Sequence, residues 1–164
     1  MAVESLRMDL SKIAPDAYRH FLQLETIVGQ HVDRRLLHLL KLRASQINGC
    51  AFCLGMHTDE ALRDGEPTER LTMLDAWKES SLYSEKERVA FAWIEEVTLI
   101  ADSGASKESF EALKGHFSEE EIGWLTLAAV MINAWNRMAI SSRAQYDRAM
   151  FAHAAPAQKA PEPA

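Results

Sequence analysis

Residues 33–65 read DRRLLHLLKLRASQINGCAFCLGMHTDEALRDG. Their pattern is helix, break, helix. Leu36, Leu39, Leu40 and Leu42 recur at helical spacing after Asp33, whose short carboxylate suits an N-cap, so a helix is expected from about Arg34 to Gln46. Asn48-Gly49 breaks it. A new helix begins near Cys50 and runs past Ala61 to Asp64, with Gly65 ending it. On that second helix Cys50, Cys53 and His57 fall at i, i+3 and i+7, which places two thiols and an imidazole along one face.

Working outward, every other segment also reads as helix. Towards the N-terminus, Pro15-Asp16 opens a helix through Tyr18, Phe21, Leu22, Leu24 and Glu25 to about Val28, and 29–32 is expected as a turn. Towards the C-terminus, Pro67 opens a short helix holding Leu71, Leu74 and Trp77. Ser84 with Glu87 forms a capping box for a helix carrying Val89, Phe91, Ile94, Val97 and Ile100. Ser106 caps a helix with Phe110 and Leu113. Ser118 with Glu121 is a second capping box, leading the longest and most apolar helix through Trp124, Leu127, Val130, Met131, Trp135 and Ile140. Strand alternation is absent, and no fixed-period repeat appears. The fold class is all-α, one domain over 1–153, followed by an Ala/Pro-rich tail at 154–164 with little to bury and expected to be disordered.

Composition narrows the function. The chain has 164 residues, 48% hydrophobic and 26% charged, with a formal net charge of -6 and charges of both signs interspersed. That pattern provides no basic surface for nucleic acid or anionic lipid. The first ten residues carry Glu4, Arg7 and Asp9, unlike a signal peptide, and no apolar run spans a bilayer, so a cytoplasmic location is expected. Only two cysteines are present. A disulfide between Cys50 and Cys53 would close too small a loop to stabilise the fold, so their spacing points to redox chemistry or metal binding.

The chemistry of the dithiol follows from its place. Thiols in a helix's first turn meet unpaired backbone N–H groups and the positive end of the macrodipole, which favour the thiolate. The dipole favours Cys50, nearest the helix start. The imidazole one turn beyond favours Cys53. Cys53 is expected to be the thiol oxidised to a sulfenic acid, with Cys50 placed to condense with it and give a disulfide.

The run Lys41 to Cys50, with Cys53 and Met56-His57-Thr58, resembles the alkylhydroperoxidase D (AhpD)-like branch of the carboxymuconolactone decarboxylase superfamily. The likeness is strong over 36–65 and continues more weakly over 71–101 through Trp77, Ser84 to Glu87 and Ala90-Phe91. The resemblance implies an AhpD-like helical fold assembled into trimers or hexamers. It implies an antioxidant peroxidase in which Cys53 meets the hydroperoxide, Cys50 donates a proton and forms the disulfide, and His57 belongs to the proton relay. It further implies a dithiol protein as reductant, lipoyl or thioredoxin-like, and no organic cofactor or metal. One position departs from the family pattern. The relay glutamate twelve residues before the first motif cysteine is here His38, whose imidazole can pass protons but supplies no permanent negative charge. Position 52 is Phe where a polar residue would extend the relay.

Blander readings stand beside these. The cysteines can be small buried hydrophobes, or join His57 and His38 in a zinc site, although three ligands from one helix strain a tetrahedron. The protein can be a redox sensor or structural oligomer with a degenerate relay, or a lactone decarboxylase, whose chemistry does not need the dithiol. His38 can be a hydrogen-bonded core histidine. His20, His31, His116 and His153 read as surface residues, and the four tryptophans as core or subunit contacts. Asp59-Glu60 and Glu119 to Glu121 read as solvated charges, and Arg34 and Arg35 as surface ion-pair partners.

Overall fold

The leucine-rich stretch after Asp33 is buried on all sides, and the rest of the chain is arranged around it. The computed structural model describes residues 4–150, so the expected disorder of 154–164 lies outside the described residues. In chain order the helices are α1 (Leu10–Ile13), α2 (Pro15–His31), α3 (Arg34–Asn48), α4 (Ala51–Arg63), α5 (Thr68–Thr72), a 3-10 turn (Leu74–Ala76), α6 (Glu85–Thr98), α7 (Ile100–Ser103), α8 (Lys107–Lys114), α9 (Glu119–Ser142) and a final 3-10 turn (Arg148–Met150). The described residues contain no strand.

α3 is central, packed against α4, α6 and α9. It buries Leu36, Leu37, Leu39, Leu40, Leu42 and Ala44, and the polar His38, Lys41 and Ser45 as well. Its partners bring Phe91 and Ile94 from α6 and Leu125, Ala128, Ala129 and Ile132 from α9. Leu39, with no exposed surface, shows the scale: removing such a side chain from water stabilises the fold by roughly 1.5–3 kcal/mol. Trp77 and Trp93 are buried in this core, while Trp124 and Trp135 are partly buried against it.

The caps form where the local sequence places them. Asp33 accepts the Leu36 N–H (2.9 Å), Ser106 accepts that of Ser109, and both capping boxes close. Elsewhere tertiary contacts move the ends. α2 does not stop at Val28 but continues through Gly29 to His31. Val28 and Val32 are buried, and the His31 ring, though exposed, stacks on Trp124 (centroids 3.9 Å apart, planes 5° apart). The segment after Pro67 divides into α5 and a 3-10 turn, leaving Trp77 beyond both. The helix carrying Phe91 ends at Thr98, so Ile100 falls in the separate short α7. The turn-length α1 and α7 carry no sequence pattern that marks them. Among the described residues no helix is long and apolar enough to cross a membrane.

Candidate functional site

The α3–α4 junction sets the positions of both sulfurs. Gly49 ends α3 in the left-handed region (φ 68°, ψ 34°), where a side chain would be strained. The following N–H, of Cys50, returns to the Ser45 carbonyl (3.0 Å), reversing the chain. Cys50 is therefore extended (φ -87°, ψ 93°) and sits just before the helix as the N-cap of α4. Its Sγ accepts the backbone N–H of Cys53 (3.4 Å), a role usually filled by a Ser or Asp oxygen. Both cysteines are free thiols, each 1% exposed.

This geometry separates their acidities. The Cys53 S–H donates to the Cys50 sulfur, which outweighs the cost of burial; the Cys53 N–H, the Asn136 side chain and the Phe52 N–H add to it, and the Cys50 pKa falls to about 7. Cys53 moves the other way. As donor to its neighbour, buried and next to a potential anion, its thiol is pushed well up.

His57, 4% exposed, projects from the same helix, and its Nδ1 pairs with Glu60 Oε2 (2.7 Å). Burial drives its pKa down despite that carboxylate, with Lys41 adding to the fall, so the ring is neutral near pH 7. Burial pushes the Glu60 carboxyl up, but His57, Lys41 and His38 together hold it below the ordinary value. Lys41 is buried in an ion pair with Glu25, whose other oxygen accepts the Trp135 indole N–H (3.0 Å).

His38 lies elsewhere. Its Nε2 pairs with Asp64 Oδ2 (2.6 Å) at the far end of α4, an oxygen shared with Arg34 (2.6 Å). The His38 Nδ1 is buried without a hydrogen-bond partner. The structure thus joins Cys50 to Cys53 and places His57 on their helix, while the hydrogen bonds of both imidazoles go to carboxylates, not to sulfur. The four donors of the zinc reading do not converge, and among the described residues no three His, Cys, Asp or Glu side chains form a group able to hold a metal ion.

Two cavities adjoin at the sulfur end. One of about 390 Å³ is lined by Gly49, Cys50, Phe52, Arg143 and Tyr146, with Glu4 and Arg143 paired at its edge (3.2 Å). The other, about 450 Å³ and largely apolar, shares Phe52 and Ala139 and extends past Leu6, Met8, Tyr18 and Met138. Cys50 lines the first; Cys53 lines neither. A third cavity of about 340 Å³ lies at the other end, lined by His38, Lys41, Glu60 and Asp64.

Several participants escaped the sequence reading. Glu60 is a partner of a buried imidazole, not a solvated charge, and its spacing of three residues from His57 was an available signal. Asp59, also read as solvated, accepts the Tyr146 hydroxyl, and the Tyr146 ring lies where a Gly55 Cβ would sit (2.5 Å). Nothing local marks Asn136 of α9, whose side chain acts to lower the pKa of both thiols.

The chain and its fold have relatives. The family model described as "Carboxymuconolactone decarboxylase family" matches residues 15–96. An uncharacterized Bacillus subtilis protein, YdfG, is 36% identical over 138 residues, covering 84% of this chain and 94% of its own. A crystal structure of a protein of unknown function from Agrobacterium tumefaciens, provisionally assigned to antioxidant defence as an AhpD, is 42% identical. It superposes with a TM-score of 0.85 over 87% of this chain and 99% of that one. The debrominase Bmp8 shares the fold alone, at 23% identity and a TM-score of 0.72 over 86% of this chain and 76% of its own. The chain belongs to the carboxymuconolactone decarboxylase family, in its AhpD-like branch.

Proposed function

We propose that this protein is a thiol peroxidase of AhpD type in which Cys50, not Cys53, carries the attacking thiolate. The observation behind that choice is the Cys50 sulfur itself, which takes the Cys53 N–H as an N-cap and borders the cavity that Cys53 does not reach. The imidazole spacing and the resemblance had both assigned the attack to Cys53; hydrogen bonding and access favour the opposite order.

The steps balance without a metal or organic cofactor. The Cys50 thiolate attacks the terminal oxygen of a hydroperoxide, the O–O bond breaks, and the sulfur becomes a sulfenic acid as the peroxide leaves as an alcohol or water after taking up a proton. The Cys53 thiol then attacks the Cys50 sulfur, forming the S–S bond and expelling water. A dithiol protein, lipoyl or thioredoxin-like by family resemblance, returns two electrons and two protons and leaves oxidised. His57, neutral and bonded to Glu60, serves as proton acceptor for the buried Cys53 thiol in that second step. A cytoplasmic, thiol-reducing setting suits the cycle. Apolar side chains left exposed on α2 and α9, among them Leu22, Ile27, Leu127 and Val130, support a homo-oligomer.

The test is mass spectrometry after peroxide treatment. The native protein is expected to lose two hydrogens as the Cys50–Cys53 disulfide. Cys53→Ser is expected to accumulate a sulfenic acid on Cys50 that a dimedone-type reagent traps, and Cys50→Ser to remain unmodified. Trapping on Cys53 in Cys50→Ser, with none in Cys53→Ser, would reverse the assignment. No oxidation in any form would remove the peroxidase reading.

A second reading, a redox sensor without turnover, draws on one observation: His38 is tied to Asp64, with no hydrogen bond to either sulfur. It predicts disulfide formation with peroxide but no sustained turnover with any dithiol reductant.

A further inference from the structure

Asn136 lies in the C-terminal half of α9 with no exposed surface, an uncommon place for an amide that has four hydrogen bonds to satisfy. Its neighbours are also polar. Asn48 ends α3, Ser45 precedes it by one turn, and Asn133 lies one turn earlier on α9. The hydrogen bonds joining these four residues determine which way each amide points.

The assignment begins at groups that have only one role. Arg137 can only donate, and its Nη1 lies 2.8 Å from one terminal atom of the Asn133 side chain, which must therefore be Oδ1. The Ala129 carbonyl can only accept, and it takes the Asn133 Nδ2 (2.9 Å), confirming that orientation. Asn133 Oδ1 also faces the Asn48 side chain (2.9 Å), so the Asn48 atom there is the donor Nδ2. That same Nδ2 reaches Asn136 (2.8 Å), whose facing atom must be Oδ1. The other end of Asn136 is then Nδ2, pointing to Ser45 Oγ (3.0 Å). An independent path agrees. Ser45 gives its single proton to the Lys41 carbonyl (2.7 Å), so its oxygen can only accept from Asn136.

One N–H of Asn136 is thereby committed to Ser45. The second is buried away from water on the amide that meets the Ser45 side chain, next to the turn where the Ser45 carbonyl takes the Cys50 N–H (3.0 Å), and the Asn136 side chain acts to lower the pKa of both thiols. An N–H left unpaired in such a place costs about 1–3 kcal/mol, whereas one donated to an anion is shorter and stronger than a neutral bond. We propose that Asn136 is the side-chain donor that holds negative charge on the dithiol, with its polarity locked by Arg137, Asn133, Asn48 and Ser45. The chain of amides acts as a fixed dipole aimed at sulfur from the helix opposite α4. It supplements the backbone N–H of Cys53, which Cys50 Sγ accepts (3.4 Å).

The charged groups around the pair do not supply this role. Arg143 and Glu4 at the cavity edge are paired with each other, Lys41 with Glu25, and His57 with Glu60. Asn136 favours the thiolate without adding a titrating group of its own.

The inference deepens the thiol reading above, and its test separates the two. The thiol midpoint is measured by ultraviolet thiolate absorbance and by the pH dependence of iodoacetamide alkylation in the native protein, Asn136→Asp and Asn136→Ala. Asp keeps the size but exchanges the donor for an acceptor; Ala removes the contact. Both are expected to raise the thiol pKa by about one unit or more, slowing alkylation near neutral pH about fivefold or more. A folded variant, by circular dichroism, with an unchanged midpoint would overturn the proposal. Should both variants fail to fold, the native protein decides. The side-chain amide protons of Asn136 in a nitrogen-15 spectrum are expected to shift with the same midpoint as the thiolate, and resonances indifferent to that titration would refute the contact. If the midpoint responds but the native protein does not reduce peroxide, the peroxidase reading fails and the role of Asn136 stands; the converse result fails Asn136 alone.

Discussion

The two ends of α4 solve different electrostatic problems. At the N-terminal end two buried sulfurs are surrounded by neutral donors, namely the Cys53 N–H and the Asn136 amide, beside a cavity whose charged residues pair with each other. At the C-terminal end Asp64 takes both His38 and Arg34, Glu60 takes His57, and Glu66 takes Arg35 and Arg70. Full charges meet at one end and are kept from the sulfurs at the other. Neutral donors favour the thiolate through hydrogen bonds alone, without a full positive charge beside the sulfur. The position where the family pattern has a glutamate illustrates the division, because His38 belongs structurally to the charged end.

The largest expected effect separates the ends by turnover. Cys50→Ser should reduce peroxide turnover with a dithiol reductant on the order of a thousandfold or more, as loss of a nucleophile does. His38→Ala should change it by less than about tenfold, the worth of a remote electrostatic contact. Equal losses in a steady-state assay would show that the charged end participates directly in the chemistry.

The next effect is in pH dependence. A cysteine at its ordinary pKa of about 8.5 is only a few per cent thiolate at pH 7. With the pKa lowered to about 7, Cys50 is half ionised there. The thiolate lies above the pKa, so alkylation of Cys50 should rise with pH and reach half its maximum near pH 7. At neutral pH this gives about fifteen times the thiolate of a free thiol, and a rate a few times higher once the lower nucleophilicity of the more acidic thiol is counted. A profile centred near 8.5, followed by peptide mapping of the labelled site, would show that the neutral donors do not act on sulfur.

How much of this was readable beforehand depends on how far each interaction travels along the chain. Asp33, Gly49, Ser84 with Glu87 and Ser118 with Glu121 act within one turn, so the helix starts they govern appear where the sequence puts them. The Cys50, Cys53, His57 stripe is equally local. The end of α2 was hidden because His31 gains Trp124 as a partner from α9, a contact no neighbouring residue announces. His38 was assigned to the sulfurs by its position in a motif. Its actual partner, Asp64, lies across the α3–α4 hairpin, where packing register decides which side chains meet. Asn136 was unreadable for the same reason, since its function comes from four polar residues that only the fold assembles.

At the charged end, His38→Glu restores the family's residue type but places a carboxylate against Asp64, exchanging a partner for a like charge. Arg34 still neutralises part of Asp64, so the cost should fall near 1–3 kcal/mol, below that of stranding a buried charge completely. Urea unfolding measures it. The variant should not gain peroxidase activity, because position 38 faces the wrong end of α4. A large gain would mean that the new carboxylate reaches the sulfurs and that the two ends are coupled.

The smallest effect concerns access. Gly55 lies on α4 two residues beyond Cys53, and a methyl group there would sit 2.5 Å from the Tyr146 ring, so Gly55→Ala must displace that ring. Tyr146 lines the cavity containing Cys50 and donates its hydroxyl to Asp59, fastening the chain after α9 onto α4. Alanine is favoured over glycine inside a helix by roughly 1 kcal/mol, which partly offsets the lost packing and keeps the fold intact. The change should therefore appear in the thiol and not in the melting temperature. Iodoacetamide should react with Cys50 a few times faster, while the pH midpoint stays near 7 because neither the Cys53 N–H nor Asn136 has moved. Tyr146→Phe, which releases Asp59 but keeps the ring, should give a smaller increase. If Gly55→Ala shifts the midpoint instead of the rate, Tyr146 contributes to the electrostatics of the sulfur end, and neutral donors on α4 and α9 are not its whole explanation.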